Sequence, residues 1–324
     1  MSAIPFVTLD DPEYARSVRV SPTIRRVVAE NPSKFTYRGT GTYIVGNGDV
    51  AVIDPGPQLD SHRDALRQAL EGERVTAILV THCHADHSPL AAWLKEHTGA
   101  PTVAFGPHPR LEDPDADNPI TDDDEPDDDD AGGDGDGQPA KIEESTDYDF
   151  HPDVVVADGE VAASGTGFTL RAVHTPGHTS NHLCFAFQDE QALFTGDHIM
   201  GWSTTVIGPP DGDMRAYFES LRKVQGRDDQ VFWPTHGSPV TRTRPFIEAF
   251  LAHRLDREAQ VLAAVRNGQT SIKQMVEVLY ADVRKELHKP AARSVLAHLV
   301  KLIDDGLVTI DDGAPRLRAA YRPT

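Results

Sequence analysis

This sequence has no long apolar run, no excess of basic residues and few cysteines. No stretch of about 18 apolar residues occurs in the 324-residue chain, which argues against a transmembrane helix. Residues 1–10 lack both a basic start and an apolar core, so we expect no signal peptide. Two cysteines, Cys83 and Cys184, cannot form a disulfide framework and suit a reducing compartment. We therefore expect a cytoplasmic protein with no membrane partner.

The shortage of basic residues makes the chain a poor generic binder of nucleic acid. It has 31 Lys and Arg against 51 Asp and Glu, a net charge of −20. Residues 112–147 carry 17 of the acidic residues and one basic residue, so the rest of the chain has a net charge of only −4. This segment has almost no β-branched or aromatic residues and is predicted to be a disordered or loosely ordered insertion. A Ca²⁺ site is the alternative, although the spacing matches no EF-hand loop.

Up to residue 245 the apolar pattern predicts a layered α/β fold. Two β-rich runs flank Gly46-Asn47-Gly48, which is a strong hairpin signal. Residues 75–80 form a short apolar run that ends in a polar cluster, as a buried strand leading into a site would. Further strands are predicted at 101–105, 154–156, 167–173, 183–187, 192–195 and 230–233, and helices at 61–70, 88–97 and 214–224.

The composition changes to helix formers beyond Arg244. Helices are predicted at 246–266, from Thr270 or Ser271 to 280, and at 290–305, followed by a hairpin that pairs 307–310 with 316–317. Three helices and a β-ribbon are typical of a winged helix. We therefore predict a catalytic domain at 1–245, containing the acidic insertion 112–147, and a winged-helix-like domain at 246–324.

The segment THCHADH, directly after the predicted strand 75–80, is the feature most indicative of chemistry. Histidine and carboxylate are ligands of zinc-type metals. Alternation along an extended segment places His82 and His84 on one side and Cys83 on the other. Asp86 and His87 follow around the next turn, so the local geometry favours two adjacent metal ions.

This segment resembles the H-x-H-x-D-H signature of the metallo-β-lactamase superfamily, and the other motifs of that family follow in order. The matching residues are Asp54 in IDPG, His178 in TPGHT, Asp197 in TGD and His236 in PTHG. The resemblance extends over roughly residues 39–239. It implies a four-layer αβ/βα metallo-β-lactamase sandwich with the metals at one edge.

The resemblance also implies a dinuclear centre with seven ligands. One metal would be held by His82, His84 and His178, and the other by Asp86, His87 and His236, with Asp197 bridging. Two divalent ions, Zn²⁺ above all, can hold a bridging hydroxide as the nucleophile and stabilise the developing oxyanion. Asp86 is in addition the candidate catalytic residue, because it can orient that hydroxide or accept its proton.

Other residues near the motifs are weaker candidates. His174, His182 and His198 could support a ligand or transfer a proton. Trp202 fits either a substrate pocket or the core. The remaining histidines are interpreted as surface or packing residues: His62, His97, His108, His151, His253, His288 and His298.

The domain plan is similar to the superfamily branch with a C-terminal winged-helix-like domain, which includes glyoxalase II-like and β-lactamase-like protein 2 proteins. We expect a metal-dependent hydrolase of a small ester, thioester or lactone. An endoribonuclease or phosphodiesterase is the first alternative, and a mono-iron persulfide dioxygenase-like enzyme the second. Residues 246–324 carry 12 basic and 10 acidic residues, a balance that does not favour nucleic acid as the partner. The oligomeric state stays open, with a homodimer as one alternative.

Overall fold

The computed structural model describes residues 4–7, 12–115, 145–311 and 313–324. Most of the predicted acidic insertion, residues 116–144, therefore lies outside the described residues. Within the described ranges, no helix combines the length and the apolar character needed to cross a membrane.

A seven-stranded sheet forms from the first part of the chain, with its strands in sequence order. Its strands are β1 (Ser17–Arg19), β2 (Ile24–Val28), β3 (Gly41–Asn47), β4 (Asp49–Ile53), β5 (Arg74–Leu79), β6 (Thr102–Ala104) and β7 (Val154–Val155). The predicted hairpin joins β3 to β4, where Gly48 takes a positive φ of 77° in the turn. Strands β4 to β7 are parallel to one another, so β4 and β5 end at the same edge.

A second sheet has five strands in the order β12-β11-β10-β9-β8. These are β8 (Val161–Gly165), β9 (Phe168–His174), β10 (Leu183–Phe187), β11 (Ala192–Gly196) and β12 (Val231–Pro234). The two sheets pack face to face, because alternate apolar residues of both, including Tyr43, Leu79, Phe185 and Phe194, share one buried core.

Helices cover the outer faces of both sheets. Helices α1 (Asp60–Ala69) and α2 (Leu90–Thr98) pack on the first sheet, and α3 (Met214–Gln225) and the start of α4 (Thr243–Arg266) on the second. Helix, sheet, sheet and helix give four layers. The predicted αβ/βα sandwich is confirmed.

The C-terminal helices form a separate apolar core with a small ribbon. They are the second half of α4, α5 (Ile272–Leu279) and α6 (His288–Asp304), and the ribbon is β13 (Val308–Ile310) with β14 (Tyr321–Pro323). Ser271 begins α5 with the reciprocal capping hydrogen bonds to Gln274. Because α4 contributes to the cores of both regions, the division at 245/246 stays a prediction.

The predicted pairing of 307–310 with 316–317 is wrong. Ile310 pairs with Tyr321 instead. The Tyr321 hydroxyl accepts a hydrogen bond from Arg316 N and donates one to Arg316 O, which holds that residue in the loop between the strands. Leu317 does not pair in the ribbon, because its backbone N–H donates to Asp115 and its buried side chain packs in the C-terminal core.

Candidate metal centre

The seven predicted ligands lie on four segments that each follow a strand. His82, His84, Asp86 and His87 come after β5, His178 lies between β9 and β10, Asp197 follows β11, and His236 follows β12. The fold brings all seven together. They form overlapping groups of three whose donor atoms lie within 4.8 Å of one another: His82, His84 and His178; His82, His87 and Asp197; and Asp86, His87 and His236.

The first predicted triad consists of three imidazoles that face one another. His84 Nδ1 lies 2.9 Å from His82 Nε2 and 3.1 Å from His178 Nε2. Burial lowers the pKa of His84 to about 3, with the neighbouring His178 adding to the effect, and burial likewise lowers the pKa of His82 and His178. All three rings are therefore neutral near pH 7, which is the form that coordinates a metal.

The second triad combines a carboxylate with two imidazoles. Asp86 Oδ2 lies 3.4 Å from His87 Nε2 and 3.2 Å from His236 Nε2. Asp197 stands between the two triads, because its Oδ1 is 3.4 Å from His236 Nε2 and its Oδ2 is 3.9 Å from His178 Nε2. This is the arrangement expected of a bridging carboxylate.

Two buried atoms in this cluster indicate that a cation fits. His87 Nε2 and Asp197 Oδ1 have no hydrogen-bond partner among the described residues and are closed to solvent. Leaving such a group without a partner costs about 1–3 kcal/mol. A divalent cation would satisfy both atoms. Five imidazoles and two carboxylates, without a thiolate, form a donor set that suits zinc-type metals.

The electrostatics of the second triad favour positive charge. Burial opposes protonation of His87, but the carboxylates of Asp86, Asp197 and Asp54 outweigh it and hold the pKa of His87 well above its ordinary value. The same kind of balance, with Asp197 and Asp86 opposing burial, raises the pKa of His236 to about 10. Concentrated carboxylate around buried imidazole attracts a cation, whether a proton or a metal ion.

Asp54, the first motif of the sequence resemblance, contacts the predicted ligand His87 and is not itself a member of the cluster. His87 Nδ1 donates to Asp54 Oδ2 at 2.9 Å, which leaves His87 Nε2 facing the cluster. Thr81 holds the carboxylate in place through its backbone N–H and its hydroxyl, both at 2.8 Å, and Thr235 adds a third donor. Similar supports fix the other rings, since His178 Nδ1 donates to Val206 O at 2.7 Å.

The three weaker candidates, His174, His182 and His198, have different surroundings in the structure. His182 Nε2 accepts a hydrogen bond from Asp197 N at 3.2 Å. His198 is fully buried beside Tyr217, and neither of its ring nitrogens has a partner in the described part of the chain. His174 stacks on Phe105, with ring centroids 3.9 Å apart, and its Nε2 lies 3.0 Å from Ser180 O. Of the three, His182 is therefore the one that hydrogen-bonds to a predicted ligand.

Both cysteines are buried and free, as expected of structural residues. Burial raises the pKa of the Cys83 thiol to about 11 and that of Cys184 to about 12, so neither is a reactive thiolate. Cys83 packs with the core under α1 and α2, on the opposite side of the segment from the ligands.

A cavity of about 640 Å³ opens onto the cluster. It is lined by His84, Asp86, His178, Asp197 and His236, and by the apolar side chains of Phe35, Leu111, Met200, Val206, Pro209, Pro290 and Leu317. The last two belong to the C-terminal region, which thus supplies part of the wall. Trp202 does not line the cavity and stacks on Tyr37 with centroids 4.8 Å apart.

His108, interpreted from the sequence as a surface or packing residue, lies in the wall of this cavity. Its Nε2 is 3.7 Å from Asp211 Oδ2, and Asp211 in turn accepts from the backbone of Ser180. No local signal could have identified it, because the cavity is assembled from segments that are distant in sequence.

Comparison with protein families agrees with this geometry. Residues 37–236 match the model of the metallo-beta-lactamase superfamily. The chain belongs to that superfamily. Residues 271–314 match the beta-lactamase-associated winged helix domain, so the C-terminal winged helix is confirmed as well.

Among curated members of the superfamily, the chain is 30% identical over 312 residues to an atrochrysone carboxyl ACP thioesterase of Aspergillus novofumigatus, which covers 90% of this chain and 82% of the relative. It is 31% identical over 306 residues to the corresponding thioesterase of Paecilomyces divaricatus, with the same coverage.

Among solved structures, a beta-lactamase domain protein from Burkholderia ambifaria superposes with a TM-score of 0.73 at 20% identity, covering 97% of this chain and 95% of the other. A metallo-beta-lactamase family protein from Thermus thermophilus gives 0.69 at 22% identity, covering 94% and 100%. These two likenesses concern the fold alone.

Proposed function

We propose that this superfamily member is a dinuclear metal-dependent hydrolase that cleaves a thioester. The observation that carries the proposal is the convergence of seven donor side chains, five of which line a cavity that also has apolar side chains in its wall. Of the three substrate classes expected from the sequence, the thioester is favoured because relatives that match along 90% of the chain are thioesterases. The ester and the lactone are the alternatives that the test must exclude.

Two metal ions fit the residues present. His82, His84 and His178 would hold one, and Asp86, His87 and His236 the other, with Asp197 contributing to both. When bound, two such ions, most suitably Zn²⁺, would supply Lewis acidity and lower the pKa of water so that it can attack at neutral pH. Asp86 would accept a proton in the proposed reaction, and Thr40 Oγ1, which donates to its Oδ2 at 2.9 Å, would orient it.

The cavity walls would bind the substrate and keep water away from it. Apolar side chains such as Phe35, Met200 and Leu317 would bind the acyl group and exclude water from the reacting carbonyl. The dimensions suit a small molecule or the end of a flexible acyl carrier arm. A polynucleotide is a poorer fit, since Arg293, one of two basic side chains in the wall, is already paired with Asp113 at 2.7 Å.

Metal analysis and a substrate panel test the proposal. The purified protein should carry about two transition-metal ions per chain by elemental analysis. It should hydrolyse acyl-CoA or acyl-carrier thioesters faster than matched esters, lactones, bis-p-nitrophenyl phosphate and single-stranded RNA. Asp197→Ala should lose metal and activity together, whereas His174→Ala, whose ring lies outside the cluster, should keep its metal.

Three results would contradict the proposal in different ways. A single tightly bound iron with persulfide oxidation would favour the dioxygenase. RNA cleavage that depends steeply on salt would favour the nuclease. A fully metal-loaded protein that leaves every thioester intact would refute the substrate class while leaving the metal centre in place.

A further inference from the structure

Arg254 of α4 is a buried cation for which the proposed reaction has no direct use. The residue is only 3% exposed. The carboxylate one helical turn away, Glu258, pairs instead with Lys301 at 2.9 Å and approaches His298 at 3.6 Å. Among the described residues Arg254 forms no ion pair. Burying a guanidinium without an ion-pair partner is strongly unfavourable. The groups that contact Arg254 therefore indicate why the residue is buried.

Two groups from the first domain hold the Arg254 side chain. Its Nη2 donates to the backbone oxygen of Thr205, and its guanidinium lies over the ring of Tyr217, 5.3 Å from the centroid. The Tyr217 hydroxyl donates to His198 O at 2.8 Å. Both contacts therefore converge on the segment that follows β11.

Thr205 links the contacts of Arg254 to Asp197, the proposed bridging carboxylate. Its buried hydroxyl donates to Asp197 O at 2.7 Å, with His198 O also within 3.2 Å. On the other side, Asp197 N donates to His182 Nε2. The backbone N–H and C=O of Asp197 are thus both hydrogen-bonded, the first to His182 and the second to Thr205. Arg254 in turn holds Thr205.

We infer that Arg254 is a positioning residue for the metal centre, acting through Thr205 on Asp197. The C-terminal helix α4 then helps to set the direction of the one carboxylate that faces both triads. Residues that orient a ligand in this indirect way typically change metal affinity 10- to 100-fold when they are removed. The inference rests on the metal centre of the proposed function.

Arg257 provides a matched control on the same helix. Its Nη1 donates to Leu279 O at 3.0 Å and its guanidinium lies over the ring of Tyr280, 4.2 Å from the centroid. It thus makes the same kinds of contact as Arg254, but toward the winged helix. Arg254→Met and Arg257→Met remove equivalent side chains, one facing the centre and one facing away.

The test measures Zn²⁺ affinity of the full-length metal-free variants by competition with a chromophoric chelator, after circular dichroism has shown that each is folded. Arg254→Met should bind roughly 10- to 100-fold more weakly than wild type, and Arg257→Met should stay within about twofold. Co²⁺-loaded Arg254→Met should also show an altered visible absorption spectrum, which reports ligand geometry independently of turnover. Equal affinity of Arg254→Met and wild type, or equal losses in both variants, would overturn the inference.

A second pair of variants protects the test against a folding failure. Thr205→Val removes only the hydroxyl and should weaken Zn²⁺ binding, and Thr205→Ser should restore it. If Arg254→Met does not fold, Arg254→Lys takes its place, since it keeps the charge but loses the planar fork. Wild-type affinity in Arg254→Lys or in Thr205→Val would then refute the inference. A wild-type protein that binds no Zn²⁺ would instead refute the proposed metal centre, so the two failures are distinguishable.

Discussion

Asp113 and Arg293 form an ion pair with 2.7 Å between Oδ2 and Nη2, and this pair joins the chain after β6 to the first turns of α6. Arg293 also donates to Pro209 O at 3.0 Å. Asp113, Pro209 and Arg293 all line the cavity. The pair therefore stabilises the part of the wall that neither domain could form by itself.

Breaking this pair should affect substrate binding more than folding. Arg293→Gln and Asp113→Asn should each destabilise the protein by less than about 1 kcal/mol, because both side chains are partly exposed to solvent. KM for the thioester should rise several-fold, while kcat should change little because neither group contacts the predicted ligands. Steady-state kinetics and thermal unfolding of both single variants and the double variant would check this. A fall in kcat at constant KM would contradict it.

Asp54 should control metal binding without being a ligand. Asp54→Asn keeps the shape but removes the charge that supports His87, so Zn²⁺ affinity should fall by about 10- to 100-fold. The control is Asp149→Asn, since the Asp149 carboxylate is fully exposed. Chelator competition would measure both variants. Unchanged affinity in Asp54→Asn would show that His87 needs no such support.

The core between the two sheets should dominate stability. Phe185 is fully buried against residues of both sheets, so Phe185→Ala should lower the free energy of unfolding by about 3–5 kcal/mol. Val155→Ala at the edge strand β7, where Val155 is 63% exposed, should change it by less than about 0.5 kcal/mol. Chemical denaturation followed by circular dichroism would compare the two. Similar losses would argue against a shared core at Phe185.

The capping box of α5 should stabilise the winged helix selectively. Ser271→Ala removes the acceptor for Gln274 N and should cost about 0.5–2 kcal/mol. Hydrogen exchange should therefore accelerate in α5 and α6 but not in β3 or β10. Thr309→Ala, an exposed change in β13, is the control. Uniform acceleration across the chain would contradict a local effect.

Local sequence was sufficient to predict those elements whose residues show a clear strand or capping pattern. The hairpin of β3 and β4, strand β5 and the start of α5, predicted at Thr270 or Ser271 and found at Ser271, followed from local patterns, because each depends on neighbouring residues. Strands β1, β2 and β8 were missed. Strand β2 carries two arginines and β8 has mostly small residues, so neither shows the apolar alternation that identifies a strand.

By itself the sequence determined the superfamily fold and which seven donors gather at one place, since each donor lies in a motif that resembles one of the superfamily's motifs. The tertiary structure alone decided the rest. The pairing of β13 with Tyr321 rather than Arg316, the cavity wall at His108, and the contact of Arg254 with Thr205 all join residues that are far apart in sequence or in unpredicted loops. Such contacts depend on how whole layers pack, and local propensity carries no information about that packing.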